Sequence, residues 1–150
     1  MQQRSWPRKS PPPASSDYSQ SNVLAGLSAL VVDDDQDSRE LVSLVLRSSG
    51  AEVSEAGSAR EALSLVAARE ISIVVSDLAM PEVDGYSLLR ALRQGPAAAC
   101  KCPLVALSAF AAPEDRERAL AAGFTAYAAK PIVPEELIRT VARAAGRLPA

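Results

Sequence analysis

The chain has 150 residues, 48% of them hydrophobic and only 4% aromatic, with a formal net charge of −2. That length suits one domain whose core is built from aliphatic side chains, and the weak charge offers no electrostatic footprint for nucleic acid or an anionic membrane. There is no histidine, which excludes histidine-based triads, histidine metal sites and any phosphohistidine on this chain.

Residues 1 to 26 are rich in Ser, Pro and Gln. Such a segment buries too little apolar surface to offset its ordering entropy, so a disordered tail acting as a spacer is expected. Arg4, Arg8 and Lys9 lead into the run Pro11-Pro12-Pro13 rather than an apolar stretch, which argues against a signal peptide. No apolar run approaches the roughly 18 residues of a membrane span, so a cytoplasmic protein is expected.

From Leu27 two patterns alternate. Short apolar runs at 28–32, 71–75, 103–107 and 124–129 read as strands, and a weaker run at 51–55 suits a sheet edge. Between them lie helical stretches. Leu41, Val42, Val45 and Leu46 form one stripe, closed by Gly50. Asp35 is a candidate N-cap for that helix. Ser58-Ala59-Arg60-Glu61 is a capping box before Leu63, Val66 and Ala67. Asp84 can cap a helix carrying Leu88, Leu89 and Leu92, while Pro113 and Pro134 stand at first helical positions, each followed by two acidic residues. Cys100 and Cys102 are expected to be reduced thiols, too few to make a zinc site. Five strands alternating with five helices imply an α/β fold, a doubly wound parallel sheet covered on both faces. A single domain over 27–147 is expected, with no sequence left for a second.

In such sheets functional residues gather beyond the carboxyl ends of the strands. The first strand runs into Asp33-Asp34-Asp35, the third into Asp77, the fourth into Ser108 and the fifth into Lys130-Pro131. Two like charges about 4 Å apart repel by about 4 kcal/mol at an effective dielectric of 20, so clustered carboxylates call for a cation. Oxygen donors without His or Cys select Mg²⁺ or Mn²⁺. Lys130 adds a positive charge and Ser108 a hydroxyl, both suited to phosphoryl oxygens. A nucleophilic carboxylate, a metal and donors for the incoming group are the equipment for forming an aspartyl phosphate. Taken singly, each element has a plainer reading as a helix cap or solvated turn. Their shared edge is what argues for function.

With these segments the chain resembles the response-regulator receiver family of two-component signalling. The match covers Leu27 to Arg147 and is carried by Leu30-Val31-Val32-Asp33-Asp34-Asp35, by Val75-Ser76-Asp77-Leu78-Ala79-Met80-Pro81 with Asp84-Gly85, by Ala106-Leu107-Ser108-Ala109 and by Tyr127-Ala128-Ala129-Lys130-Pro131. The resemblance implies a flavodoxin-like strand order 2-1-3-4-5. It implies that Asp77 takes a phosphoryl group from a histidine kinase or phosphotransfer protein. It further implies that Asp34, Asp77 and the Ala79 backbone carbonyl ligate Mg²⁺ directly, with Asp33 acting through water. Lys130 then contacts the acyl phosphate, Ser108 swings towards it, and Tyr127 matches an aromatic rotamer switch, although simple strand packing explains Tyr127 equally well. The output face is implied to be helix four, strand five and helix five, which would bind a downstream protein. The resemblance also implies that Ala79 and Phe110 occupy the positions flanking the approach of hydrolytic water. The protein is thus expected not to be an enzyme in the usual sense, but a phosphoacceptor that assists its own phosphorylation and dephosphorylation, as a monomer or a weak phosphorylation-dependent dimer. Alternatives are the receiver module of a hybrid sensor kinase, a phosphorylation-independent interaction module, and an aspartyl-phosphate phosphatase. The last needs a second Asp where Ala79 stands, and the interaction module would be expected to have lost an acceptor or metal residue.

Overall fold

The computed structural model describes residues 22–79, 84–94, 101–109 and 112–148. The elements run β1 (Ser28–Val32), α1 (Gln36–Ser48), β2 (Glu52–Ala56), α2 (Ala59–Ala68), β3 (Ile73–Asp77), α3 (Gly85–Arg93), β4 (Leu104–Ser108), α4 (Pro113–Ala122), β5 (Ala126–Ala129) and α5 (Pro134–Ala144). The sheet is parallel throughout, in the order β2-β1-β3-β4-β5. This is the order the resemblance implies.

Alternation along each strand explains why the strands read as unbroken apolar runs. Ala29, Val31, Ile73, Val75, Val105 and Leu107 join Val42, Leu46, Leu137, Ile138 and Val141 of α1 and α5 in one core layer. Leu30, Val32, Val74, Leu104 and Ala106 join Ala62, Leu88, Leu92 and Ala119 of α2, α3 and α4 in the other. Both faces are covered, so the centres of β1, β3 and β4 are apolar on either side, while edge strand β2 keeps Glu52, Ser54 and Glu55. The helix on this second layer with the thinnest anchor is α4, whose one buried residue is Ala119.

The expected caps form. Asp35 Oδ2 accepts from the Ser38 N–H at 3.1 Å, Ser58 Oγ from the Glu61 N–H at 3.1 Å, and Asp84 Oδ1 from the Ser87 N–H at 2.9 Å. Pro113 and Pro134 open α4 and α5 without a side-chain cap. The strand bounds differ from those expected. The third strand starts at Ile73 rather than 71 and continues through Ser76 and Asp77, because these two pair with Ala106 and Leu107 of β4. The fifth starts at Ala126. Phe124 instead packs edge-on against Tyr86, ring centroids 5.8 Å apart.

Residues 22–26 form a turn in which Leu24 is fully buried in the α1–α5 layer. Its N–H donates to the Ser49 carbonyl at 2.9 Å, and Arg147 Nη1 donates to the Ala25 carbonyl at 2.8 Å. Gly50 is required beneath this turn: its φ is +100°, and a Cβ there would lie 3.1 Å from the Ala25 backbone. Among the described residues no helix is long and apolar enough to cross a membrane.

Candidate functional site

In a parallel sheet all strand carboxyl ends lie along one edge, so the residues that finish β1, β3, β4 and β5 are brought together by topology alone. Asp33 follows β1 and is fully buried. Its Oδ1 accepts from the Asp35 N–H at 3.0 Å, and its Oδ2 accepts from Lys130 Nζ at 3.0 Å. Asp77 closes β3, is 7% exposed, and accepts from the Ala79 N–H at 3.1 Å through Oδ1. Its Oδ2 stands 3.4 Å from the same Lys130 Nζ. The lysine is placed by its own backbone, whose N–H donates to the Ser108 carbonyl at 2.8 Å and so extends the β4–β5 pairing. Asp34 is exposed, and one carboxylate oxygen from each of Asp33, Asp34 and Asp77 lies within 4.8 Å of the others.

The electrostatics follow from this crowding. Burial pushes the Asp77 carboxyl above its ordinary value, and the nearby Asp33 charge adds to that, against the opposing pull of the Ala79 N–H and the Lys130 ammonium. For Lys130, burial works to lower the value, yet the hydrogen bond and charge of Asp33, followed by those of Asp77, hold the ammonium above its usual range. Lys130 therefore stays charged. Three carboxylates facing one ammonium leave an excess of negative charge with an open side at exposed Asp34. An all-oxygen donor set of this kind fits a hard divalent cation that keeps several waters.

Ser108, buried at the end of β4, lines a cleft beside the acidic group together with Leu78, Ala79, Asp84, Tyr86, Asp115 and Arg118. Arg118 lies over the Tyr86 ring, 5.4 Å from its centroid. Tyr127 sits opposite Ala106, half-buried against the α2–α3–α4 layer. It also borders a groove shared with Ile132, Val133, Glu136 and Thr140 on the β5–α5 side. Phe110, expected to flank the water approach, lies outside the described residues.

Two contributors were given no role by the sequence. Gly85 is one: a Cβ there would meet the Asp77 carbonyl oxygen at 2.8 Å, closer than real Cβ contacts come, so only glycine lets α3 start against the acceptor strand. The glycine directly after a capping Asp was the available signal. The other is Arg39 of α1, whose Nη1 donates to the Asp33 carbonyl at 2.9 Å. Nothing in the spacing of Arg39 separates it from an ordinary exposed helix cation.

A family model described as the response regulator receiver domain matches residues 29–142. An uncharacterized 14.6 kDa protein of Leptolyngbya boryana is 47% identical over 119 residues, covering 79% of this chain and 90% of that protein. The gliding motility regulatory protein of Myxococcus xanthus is 38% identical over 104 residues, and the sensor histidine kinase RcsC of Salmonella typhi is 34% identical over 119. This chain spans only 13% and 12% of those two proteins, and 48% of the Pseudomonas aeruginosa transcriptional regulatory protein GltR. Among solved structures, the chemotaxis response regulator CheY4 of Vibrio cholerae aligns with a TM-score of 0.73 at 31% identity, over 79% of this chain and 98% of that one. The receiver domain of the Francisella response regulator 1452 gives 0.73 at 30% identity, over 81% and 98%.

Proposed function

This chain belongs to the response regulator receiver domain family, a signalling phosphoacceptor module, and from that premise we propose that Asp77 is its phosphoacceptor. The observation that carries the assignment is the placement of Asp77 at the carboxyl edge of the central strand. There it stands within ion-pair distance of Lys130 and shares a cation-sized locus with Asp33 and Asp34.

In the reaction, one Asp77 carboxylate oxygen attacks the phosphorus of a phosphohistidine on a kinase or phosphotransfer protein. The P–N bond breaks, and its electron pair returns to the imidazole of the donor. Lys130 opposes the charge on the phosphoryl oxygens, and Ser108 offers its hydroxyl to one of them. Asp33, Asp34, Asp77 and the Ala79 carbonyl would hold Mg²⁺, or Mn²⁺ in its place, which when bound supplies charge neutralisation between the acceptor and the phosphoryl oxygens. Because these 150 residues include no histidine, the donor histidine lies outside them.

The added phosphoryl group brings nearly two negative charges and three acceptor oxygens. Its new bonds to Ser108 and Lys130 favour one of two arrangements of the α4–β5–α5 face, where Tyr127 lies and α4 is held by a single buried alanine. That face would meet a downstream protein. We place the protein in the cytoplasm. A second reading, the receiver segment of a hybrid sensor kinase, draws support from the match to a short portion of RcsC. Incubation with a small-molecule phosphodonor and Mg²⁺ tests the central assignment. The mass should rise by one phosphoryl group, hydroxylamine should remove it, and Asp77→Asn should abolish it. Labelling that survives Asp77→Asn at full strength rules out Asp77 as the acceptor.

A further inference from the structure

The main chain of Asp33 is held from two sides. Its N–H donates to the Ala56 carbonyl of β2 at 3.1 Å, and its C=O accepts from Arg39 Nη1 at 2.9 Å. Arg39 is itself oriented by Glu55 at the end of β2, whose Oε1 accepts from Nε at 3.2 Å. The guanidinium lies close against the chain at Gly57, where an added Cβ would meet Nη1 at 3.2 Å. The opposite side of Glu55 faces Arg47 at 3.6 Å.

The carbonyl that Arg39 grips belongs to the planar peptide unit joining Asp33 to Asp34. Fixing its oxygen fixes the plane from which the Asp34 Cα departs. The Asp33 side chain has anchors of its own in Asp35 and Lys130. Asp34 is exposed and makes no hydrogen bond or ion pair among the described residues. Only its backbone aims its carboxylate at Asp33 and Asp77.

We propose that Arg39 is a positioning residue for the cation site, locking the Asp33–Asp34 peptide so that the otherwise unsupported Asp34 carboxylate stays directed at the shared locus. This rests on the reading of Asp33, Asp34 and Asp77 as Mg²⁺ ligands. The role needs an arginine, because separate nitrogens of one rigid fork reach Glu55 and the carbonyl at once. Its sign separates it from bulk electrostatics. Removing a positive charge near the site would by itself tighten Mg²⁺ binding, whereas loss of positioning weakens it.

The test is calorimetric titration of Mg²⁺ into the full chain with no phosphodonor present. Arg39→Gln should raise Kd about tenfold, at the lower end of what loss of a group behind a metal ligand costs. Arg47→Gln removes the same charge beside Glu55 without touching Asp33, and should leave Kd unchanged or slightly tighter. A second readout is the rate of labelling by a small phosphodonor against Mg²⁺ concentration. In Arg39→Gln the half-maximal concentration should rise while the plateau stays at the wild-type level; a purely structural defect lowers the plateau through loss of folded protein. If Arg39→Gln does not fold, Arg39→Lys, which keeps the charge and loses the fork, should show the same weakening. A folded Arg39 variant with unchanged or tighter Mg²⁺ binding overturns the proposal. Wild-type protein that binds Mg²⁺ but takes no label would instead count against the phosphoacceptor reading, and wild type that binds no Mg²⁺ overturns the cation site and the role of Arg39 together.

Discussion

Replacing Lys130 by Met keeps the aliphatic stem and removes the ammonium that faces the acidic group. At separations of 3.0 Å from Asp33 and 3.4 Å from Asp77, each attraction amounts to about 5 kcal/mol gross at an effective dielectric of 20. Desolvation of the ammonium offsets much of this. What remains is the cost of leaving fully buried Asp33 without its partner, about 3–5 kcal/mol for a closed site. Here the site opens to solvent at Asp34, so a loss of about 2–3 kcal/mol is expected for the metal-free protein. For a chain of this length that corresponds to a fall in Tm of about 5–10 °C. Mg²⁺ should reverse the loss, because its charge replaces the ammonium, and should raise the Tm of Lys130→Met more than that of wild type. Adding Asp33→Asn to Lys130→Met should restore most of the stability in the absence of metal. Thermal melts by far-ultraviolet circular dichroism at neutral pH, with and without saturating Mg²⁺, measure all three. If metal-free Lys130→Met melts with wild type, or Mg²⁺ shifts both proteins equally, the carboxylates and the lysine are not coupled as the geometry requires.

Asp77→Asn should stabilise the metal-free protein. Burial raises the Asp77 pKa in the fold, so the folded state disfavours its ionised form. The resulting penalty is absent below the ordinary carboxylate pKa and reaches its full size above the raised one. The Tm difference from wild type should therefore vanish in acid and open as pH rises towards neutrality, and a constant difference across that range would contradict the assignment. Leu24→Ala, which empties a fully buried position of the N-terminal turn, should cost about 2–5 kcal/mol in urea unfolding; a loss under 1 kcal/mol, roughly that of a surface site, would show the turn is not part of the core. Neither Ala79 nor Phe110 can orient a water by hydrogen bonding, so intrinsic loss of the phosphoryl group should be slow. Ala79→Asn combined with Phe110→Glu should speed it tenfold or more, about 1.4 kcal/mol of barrier, as followed by decay of the acyl phosphate after donor removal. Equal decay rates would place control of water access elsewhere.

The sequence by itself determined the element order, the caps and the edge at which polar residues collect. Strands covered on both faces are apolar through their centres, and helices announce themselves through Asp35, Ser58, Asp84, Pro113 and Pro134, so these features are local. A parallel arrangement then sends every strand end to the same side, which made Asp33, Asp77, Ser108 and Lys130 legible as a set before any contact was known. Tertiary structure decided the rest. Ser76 and Asp77 belong to β3 because β4 pairs with them, although neither is apolar. Leu24 is core because α1 and α5 close over it, although its neighbours in sequence read as a polar tail. Gly85 is compelled by the Asp77 carbonyl, and Arg39 matters because the Asp33 carbonyl happens to end within its reach. Lys130 meets Asp33 across 97 residues of chain. Periodicity of two or 3.6 residues reports which way a side chain faces, but contacts over such separations are set by strand order and register, and these are properties of the assembled sheet.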